Sequence, residues 1–206
     1  LKETGTDLPL PTRIVIFVSD FSRAWWWLIL VLFGVALGGI IKYISTPEGR
    51  RNFDAFLLKV PLIGDLARKM FLARFAESLS TLIEGGLPIA QAIEFSGEVV
   101  GNKIYQEAIF KARDGVRKGE SISSILKEYP ELFPPMFIQM VYVGERSGSL
   151  DKTLKNMVGF YQGEVQRTLD NLLGLLEPAM ILFLGIGVAI VVASVLLPLY
   201  NISSQL

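Results

Sequence analysis

The sequence contains no cysteine and no histidine. Without cysteine neither a disulfide framework nor a thiolate ligand can form. Without histidine the commonest general base and the commonest zinc ligand are absent. Surplus charge of one sign is missing as well: 20 Lys and Arg balance 20 Asp and Glu, which argues against a nucleic-acid partner, since phosphate binding draws on a cationic excess. No GxxxxGK[ST] phosphate loop is present, no DxDxDG calcium loop, and the glycines from Gly34 to Gly39 do not fit GxGxxG. Glu94 and Glu98 lie about one helical turn apart, a spacing that suits a solvated face better than a catalytic carboxylate pair. Ser121, Ser123 and Ser124 have no His to activate them, and a dyad with Lys127 exists only on paper. The residue set points to a non-enzymatic protein with no cofactor and no metal.

What is present is apolar mass. Apolar residues make up 51% of the 206, and mean hydropathy is +0.45, too high for an ordinary soluble domain. The excess sits in two blocks. Residues 24–41 carry no charge, with Trp25, Trp26 and Trp27 at one end and Tyr43 at the other, the aromatic belt of a spanning helix. Gly34 and Gly38, four apart, make a face that a second helix can approach closely. The other block, 178–199, is also uncharged and long enough to cross a bilayer core.

The second block continues a helical pattern that starts in water. Leu150, Leu154, Met157, Tyr161, Val165, Leu169, Leu172 and Leu176 recur at helical spacing, while Asp151, Lys152, Lys155, Glu164, Arg167 and Asp170 fill the other face. Between the two halves only Pro178 stands as a candidate kink. The spacing therefore predicts one helix over 149–199, roughly 75 Å long at about 1.5 Å per residue.

Between the blocks, 45–171 reads as short helices divided by breaks, with no period-two alternation. Helices are expected over 51–60, stopped by Pro61; over 66–84, with Met70, Phe71, Phe75, Leu79, Leu82 and Ile83 on one side; and over 88–95, opened by Pro88. Asn102 is expected to cap a helix reaching Lys118 with Tyr105, Ala108, Ile109, Ala112 and Val116 as its stripe. A short helix over 121–129 and another from Pro134-Pro135 to Arg146 follow, and Ser149 is expected to cap the last. The segments Leu82-Ile83-Glu84-Gly85-Gly86-Leu87 and Val143-Gly144-Glu145-Arg146-Ser147-Gly148 echo each other faintly, as a duplicated hairpin would.

Lys42, Arg50, Arg51 and Lys59 follow the first block, and Lys152, Lys155 and Arg167 precede the second. No Lys or Arg occurs after residue 172. The positive-inside rule places the middle in the cytoplasm, with Arg13 and Arg23 diluting the bias at the first block. The expected fold is all-α: a cytoplasmic antiparallel helix bundle flanked by two transmembrane helices, the last continuous with a long bundle helix. The divisions are an extracytoplasmic or interfacial connector (1–23, with an amphipathic run of Ile14, Phe17, Val18 and Phe21), a transmembrane helix (24–44), the cytoplasmic bundle (45–171), a second transmembrane helix (172–200) and an extracytoplasmic tail (201–206). A chain starting at Leu1 is expected to be part of a longer protein.

Two features carry functional interest. The block Gly144, Glu145, Ser147, Gly148, Leu150 is either a plain tight helix corner, which its Gly and Ser content favours, or a joint engaged by a partner. Glu177 with Pro178 opens the second apolar block. A carboxylate there either snorkels to the headgroups or contacts another helix, and the rule for ionisable groups inside membranes favours contact. Gly185, Ala189 and Ala193 extend a close-packing face beyond it. The basic face of Lys103, Lys111, Arg113, Arg117 and Lys118 reads as solvated or as a dock for an acidic partner.

In this order the pieces resemble the inner-membrane platform proteins of type IV pili and type II secretion systems (the PilC/GspF family), C-terminal half. The resemblance rests on Leu8-Pro9-Leu10-Pro11-Thr12 before a Trp-edged span; on Phe75, Leu79 and Leu82 leading to the helix-turn motif Gly85, Gly86, Leu87, Pro88; on Gly119-Glu120-Ser121 before Phe133-Pro134; on Gly144-Glu145-x-Ser147-Gly148-x-Leu150; and on Glu177-Pro178. It implies a multi-pass protein of the bacterial cytoplasmic membrane that forms homo-oligomers. It also implies partners: a hexameric assembly ATPase, pilin or pseudopilin transmembrane helices, other inner-membrane assembly subunits and the lipid bilayer. The runner-up reading is a membrane-anchored sensor with a cytoplasmic signalling bundle.

Overall fold

A computed structural model describes residues 10–203, and among them there are eight helices and no strand. Helix α1 spans Leu10–Ile44, α2 Pro47–Lys59, α3 Ile63–Glu84, α4 Ile89–Val99, α5 Lys103–Val116, α6 Ile122–Leu126, α7 Pro135–Ser147 and α8 Leu150–Ser203. They group into two compact units, one of Lys42–Asn171 and one of the described parts of 1–41 and 172–206.

Most helix limits in the first unit follow from local chemistry. Thr46 accepts the Gly49 amide at 3.1 Å and Pro47 occupies the first turn of α2, where a missing N–H costs nothing. Val60 is extended ahead of Pro61, which ends α2. Asn102 caps α5, its Oδ1 accepting the amides of Ile104 and Tyr105 at 3.0 and 3.2 Å. Ser121 caps α6 through the Ser124 amide at 3.3 Å, and Pro135 opens α7.

One core joins these helices. Phe133, in the loop before α7, packs its ring against Phe75 of α3, Tyr105 of α5 and Phe137 of α7 at centroid separations of 6.1, 5.6 and 5.7 Å. Phe137 in turn meets Tyr161 of α8 at 6.0 Å. Each fully buried ring contributes about 2–3 kcal/mol of transfer free energy, so this aromatic cluster is the chief fastening of the unit. Tyr105 also donates its hydroxyl to the Leu132 carbonyl at 2.8 Å, which satisfies the one polar atom the cluster buries on that ring.

The stripe expected on α5 is the buried one: Tyr105, Ala108, Ile109 and Ala112 are all inaccessible. On α3 Phe75 and Leu79 are buried and Phe71, Leu82 and Ile83 pack against the core, as expected, with one exception. Met70 faces outward while Leu72 is buried, because α3 packs against both α2 and α4 and so buries more than one stripe. On α8, Leu150, Leu154, Met157 and Tyr161 are in the core, but Leu169 and Leu176 are exposed. The amphipathic pattern outlasts the packing by several turns.

In the second unit, α1 begins at Leu10, so the backbone of 10–23 is helical and continuous with the apolar stretch. Ile14, Phe17 and Val18 of the amphipathic run lie outside the described side chains, as does residue 204 onward; Phe21 is exposed and stacks on Trp25 at 6.4 Å. The apolar parts of α1 and α8 have the length and hydropathy to cross a bilayer and bury none of that surface within the chain. Space beside Gly34, Gly38, Gly185 and Gly187 is open.

Candidate functional site

The two Gly-containing corners foreseen in the sequence have the same backbone construction. At the end of α3, the Gly86 amide donates to the Ile83 carbonyl at 2.9 Å and the Leu87 amide to the Leu82 carbonyl at 3.0 Å. At the end of α7, the Gly148 amide donates to Glu145 at 3.4 Å and the Ser149 amide to Gly144 at 3.0 Å. Both are Schellman closures, which require a left-handed residue just past the helix. Gly86 (φ 81°) and Gly148 (φ 65°) supply it. Leu87 lies against the core beside Leu82, the apolar contact that accompanies this motif. Pro88 sits one residue outside α4, whose first turn its carbonyl closes by accepting the amides of Gln91 and Ala92 at 2.9 Å each.

The acids beside the two corners do different work. Glu84 reaches Lys155 of α8 at 3.2 Å, on an exposed surface. Glu145 turns inward. Its carboxylate accepts the Ile122 amide at 2.5 Å, the Ser123 amide at 3.1 Å and the Ser123 hydroxyl at 2.5 Å. It therefore closes the amino end of α6, where orphan N–H groups and the helix dipole favour an anion. Ser121 takes the Ser124 amide, so side chains from two distant segments share one helix start.

Close approach fixes the second corner. A Cβ on Gly144 would lie 3.0 Å from Leu150 Cα and 3.1 Å from Thr153 Cβ, so a side chain there would press α7 away from the first turn of α8. Ser147 donates to the Val143 carbonyl at 2.8 Å. Ser149 does not cap α8 with its side chain as expected: its hydroxyl pairs with that of Ser147 at 2.6 Å, because the tight corner brings the two together.

A cleft of about 330 Å³ brings these features together. Ile83 and Ile89, which flank the first corner, line it with Gly144, Glu145, Gly148 and Leu150 of the second, and Val116, Glu120, Ile122 and Asp151 complete the wall. Glu177 and Pro178 are not part of it; they belong to the other compact unit, within α8. Glu177 is exposed there, and α8 continues through Pro178, whose missing N–H leaves the Gly174 carbonyl without its usual helical donor.

The remaining chemical candidates find structural partners. Glu94 holds Arg113 at 3.0 Å and Arg117 at 2.7 Å. Ser123 bonds Glu145, and Ser124 donates to the Ser121 carbonyl at 2.7 Å. Asp54 was not singled out by the sequence pattern, yet it is buried and accepts the Lys103 amide at 2.6 Å, a second long-range helix cap. Neither this contact nor the one at Glu145 leaves a local spacing signal, since the partners are 49 and about 22 residues apart.

A helical bundle whose chain leads on either side into a helix long and apolar enough to cross a bilayer, with paired Schellman corners around one cleft, defines the class. The family model described as type II secretion system (T2SS), protein F, matches residues 75–198, from within α3 to near the end of α8. The chain belongs to that family. It is 38% identical to the type IV pilus assembly protein PilC of Thermus thermophilus, with all of this chain and 51% of the relative covered. It is 36% identical to the type II secretion system protein F of Pseudomonas aeruginosa, covering 98% of this chain and 49% of that protein. Against the type IV pilus assembly protein TapC of Aeromonas hydrophila identity is 34%, with 98% and 49% covered. The chain thus spans about half the length of the curated relatives it matches.

Proposed function

We propose that this protein is a non-enzymatic assembly platform of the bacterial cytoplasmic membrane, serving a type IV pilus or a type II secretion system. Residues 45–171 face the cytoplasm and engage a hexameric assembly ATPase, while the spans at 24–44 and 172–200 meet pilin or pseudopilin helices, further assembly subunits and other copies of the same chain. The connector 1–23 and the tail 201–206 lie on the outer side. The observation that carries the reading is α8, which is one helix from Leu150 to Ser203. Its first turns are held in the core by Leu150, Leu154, Met157 and Tyr161, and its apolar continuation buries none of its described residues. An element anchored in that way transmits displacement of the bundle to whatever surrounds it in lipid.

The site residues take roles within that scheme. Gly144, Glu145, Ser147, Gly148 and Leu150 form the joint through which α6 and α7 push on α8. Gly85, Gly86, Leu87 and Pro88 form the matching joint between α3 and α4. Glu177 and Pro178 contact a neighbouring helix at the edge of the membrane, where an exposed carboxylate seeks a donor. The test is made in the full-length protein: Leu169→Gly together with Asp170→Gly softens α8 by about 1–2 kcal/mol without touching either span. Loss of filament assembly or secretion with normal membrane insertion supports transmission; normal assembly excludes a stiff α8.

A further inference from the structure

Helix α2 leaves two of its large apolar residues on the side away from the bundle. Gly49, Asp54 and Leu58 face the bundle. The outward side, where polar residues belong, presents Phe53 and Phe56, the latter 65% exposed. Leu62 and Ile63, at the α2–α3 corner, are exposed too. Leu62 is the one non-glycine residue with positive φ (68°) among the described residues. That conformation costs on the order of 1–3 kcal/mol, yet the side chain it directs outward is 60% exposed. The tight corner holds this backbone, the Ile63 amide donating to the Pro61 carbonyl at 2.8 Å and the Gly64 amide to the Val60 carbonyl at 2.7 Å, and it leaves the Leu62 side chain outside the core.

Three observations say what covers this face. Only Ser45 and Thr46 separate α2 from the end of α1; Thr46 donates its hydroxyl to the Tyr43 carbonyl at 2.7 Å, and Asn52 of α2 donates to the Tyr43 hydroxyl at 3.1 Å. At the start of α3, Lys69 pairs with Glu164 at 3.3 Å and donates to Thr168 of α8 at 3.1 Å. Both ends of the unit Lys42–Asn171, the points from which the apolar stretches depart, therefore lie beside α2 and α3. Charge supplies the third observation. Arg51 is held by Glu107 at 3.2 Å, whereas Lys42, Arg50 and Lys59 make no ion pair among the described residues.

From these relations we infer that α2 and the α2–α3 corner seat in the interfacial layer of the bilayer, with Phe53, Phe56, Leu62 and Ile63 among the upper acyl chains and Arg50 and Lys59 on anionic headgroups. Phenylalanine and leucine on one side of a short helix with basic residues at its margins is the composition that partitions there. The occupant is lipid, and the assignment rests on the reading of the two apolar helices as membrane spans.

The test uses the full chain in vesicles of phosphatidylethanolamine and phosphatidylglycerol. Because the sequence has no cysteine, Phe56→Cys, Leu62→Cys, Val143→Cys and Phe183→Cys each give a single site for an environment-sensitive fluorophore. Nitroxide lipids with shallow labels should quench the probes at Phe56 and Leu62 by about twofold or more and leave Val143 unchanged, and deep labels should quench Phe183. Adding Arg50→Glu and Lys59→Glu to the Phe56 probe should relieve its quenching. If Phe183 is quenched while Phe56 and Leu62 behave as Val143 does, the interfacial seat is wrong and the spans stand. If those two probes are shielded from aqueous iodide yet silent to lipid, a protein covers the face and the inference falls. If Phe183 is also silent, the span reading fails and the inference fails with it.

Discussion

The carboxylate of Glu145 accepts both the amide and the hydroxyl of Ser123, at 3.1 and 2.5 Å, across 22 residues of chain. One side chain at the end of α7 thereby completes the start of α6, and the corner that launches α8 is tied to the segment preceding it.

Removing that tie should be costly where removing its counterpart is not. Glu145→Ala leaves two amides and a hydroxyl without their acceptor and should destabilise the region by about 1–3 kcal/mol. Amide exchange at Ile122 and Ser123 should accelerate first. Glu84→Ala breaks only a pair with more than half of each side chain exposed, and is expected to change stability by less than about 1 kcal/mol. Equal effects would show that Glu145 does not cap α6.

The glycines of the second corner should separate by mechanism. Gly148→Ala meets no neighbouring atom and pays only the left-handed backbone term, about 1 kcal/mol; Gly148→Asn should recover part of it. Gly144→Ala drives a methyl group against Leu150 Cα and Thr153 Cβ, and overpacking of this kind costs about 1–3 kcal/mol. Denaturant titration in detergent should rank Gly144→Ala as the more damaging, and no asparagine rescue should exist there.

Tyr105 makes the core sensitive to alkali. Burial pushes its phenol well above the ordinary tyrosine value, against a smaller opposing effect from Arg68. A raised folded-state value means that the contribution is intact below the unfolded value, about pH 10, and is lost as pH rises beyond it. Stability should fall by up to about 1.4 kcal/mol per pH unit above pH 10 from this group alone. Tyr105→Phe should abolish that component while costing about 1–2 kcal/mol at neutral pH, because the Leu132 carbonyl loses its donor. Absorbance at the tyrosinate band against pH, with unfolding followed in parallel, measures both.

The sequence was most informative where the governing chemistry is local. Asn102, Ser121, Pro135 and the two Gly corners announce helix limits within four residues, and the structure uses each of them. Periodicity located the buried faces of α5 and the first turns of α8, but it could not show where packing stops: Leu169 continues the stripe and is exposed. On α3 it located Phe75 and Leu79 in the core and Phe71, Leu82 and Ile83 against it, but misplaced Met70 and missed Leu72, since a helix enclosed by neighbours buries residues on more than one side. Glu145 was marked by its motif and Asp54 was not, and the pairing of neither was legible. Their partners are set by tertiary placement, and an acid that caps a distant helix looks in sequence like any surface acid. Glu177 was visible because a charge beside an uncharged run of that length stands out.

The proposed role requires α8 to pass from the bundle into lipid as one helix. Single nitroxides placed in turn from residue 160 to 190 of the otherwise cysteine-free chain in vesicles, read for collision with a water-soluble nickel complex and with oxygen, test this directly. The expected pattern is an unbroken period of about 3.6 residues in one phase through Pro178, with nickel access giving way to oxygen access near residue 172. A loss of period between 165 and 178, or nickel access persisting beyond 180, would contradict the account.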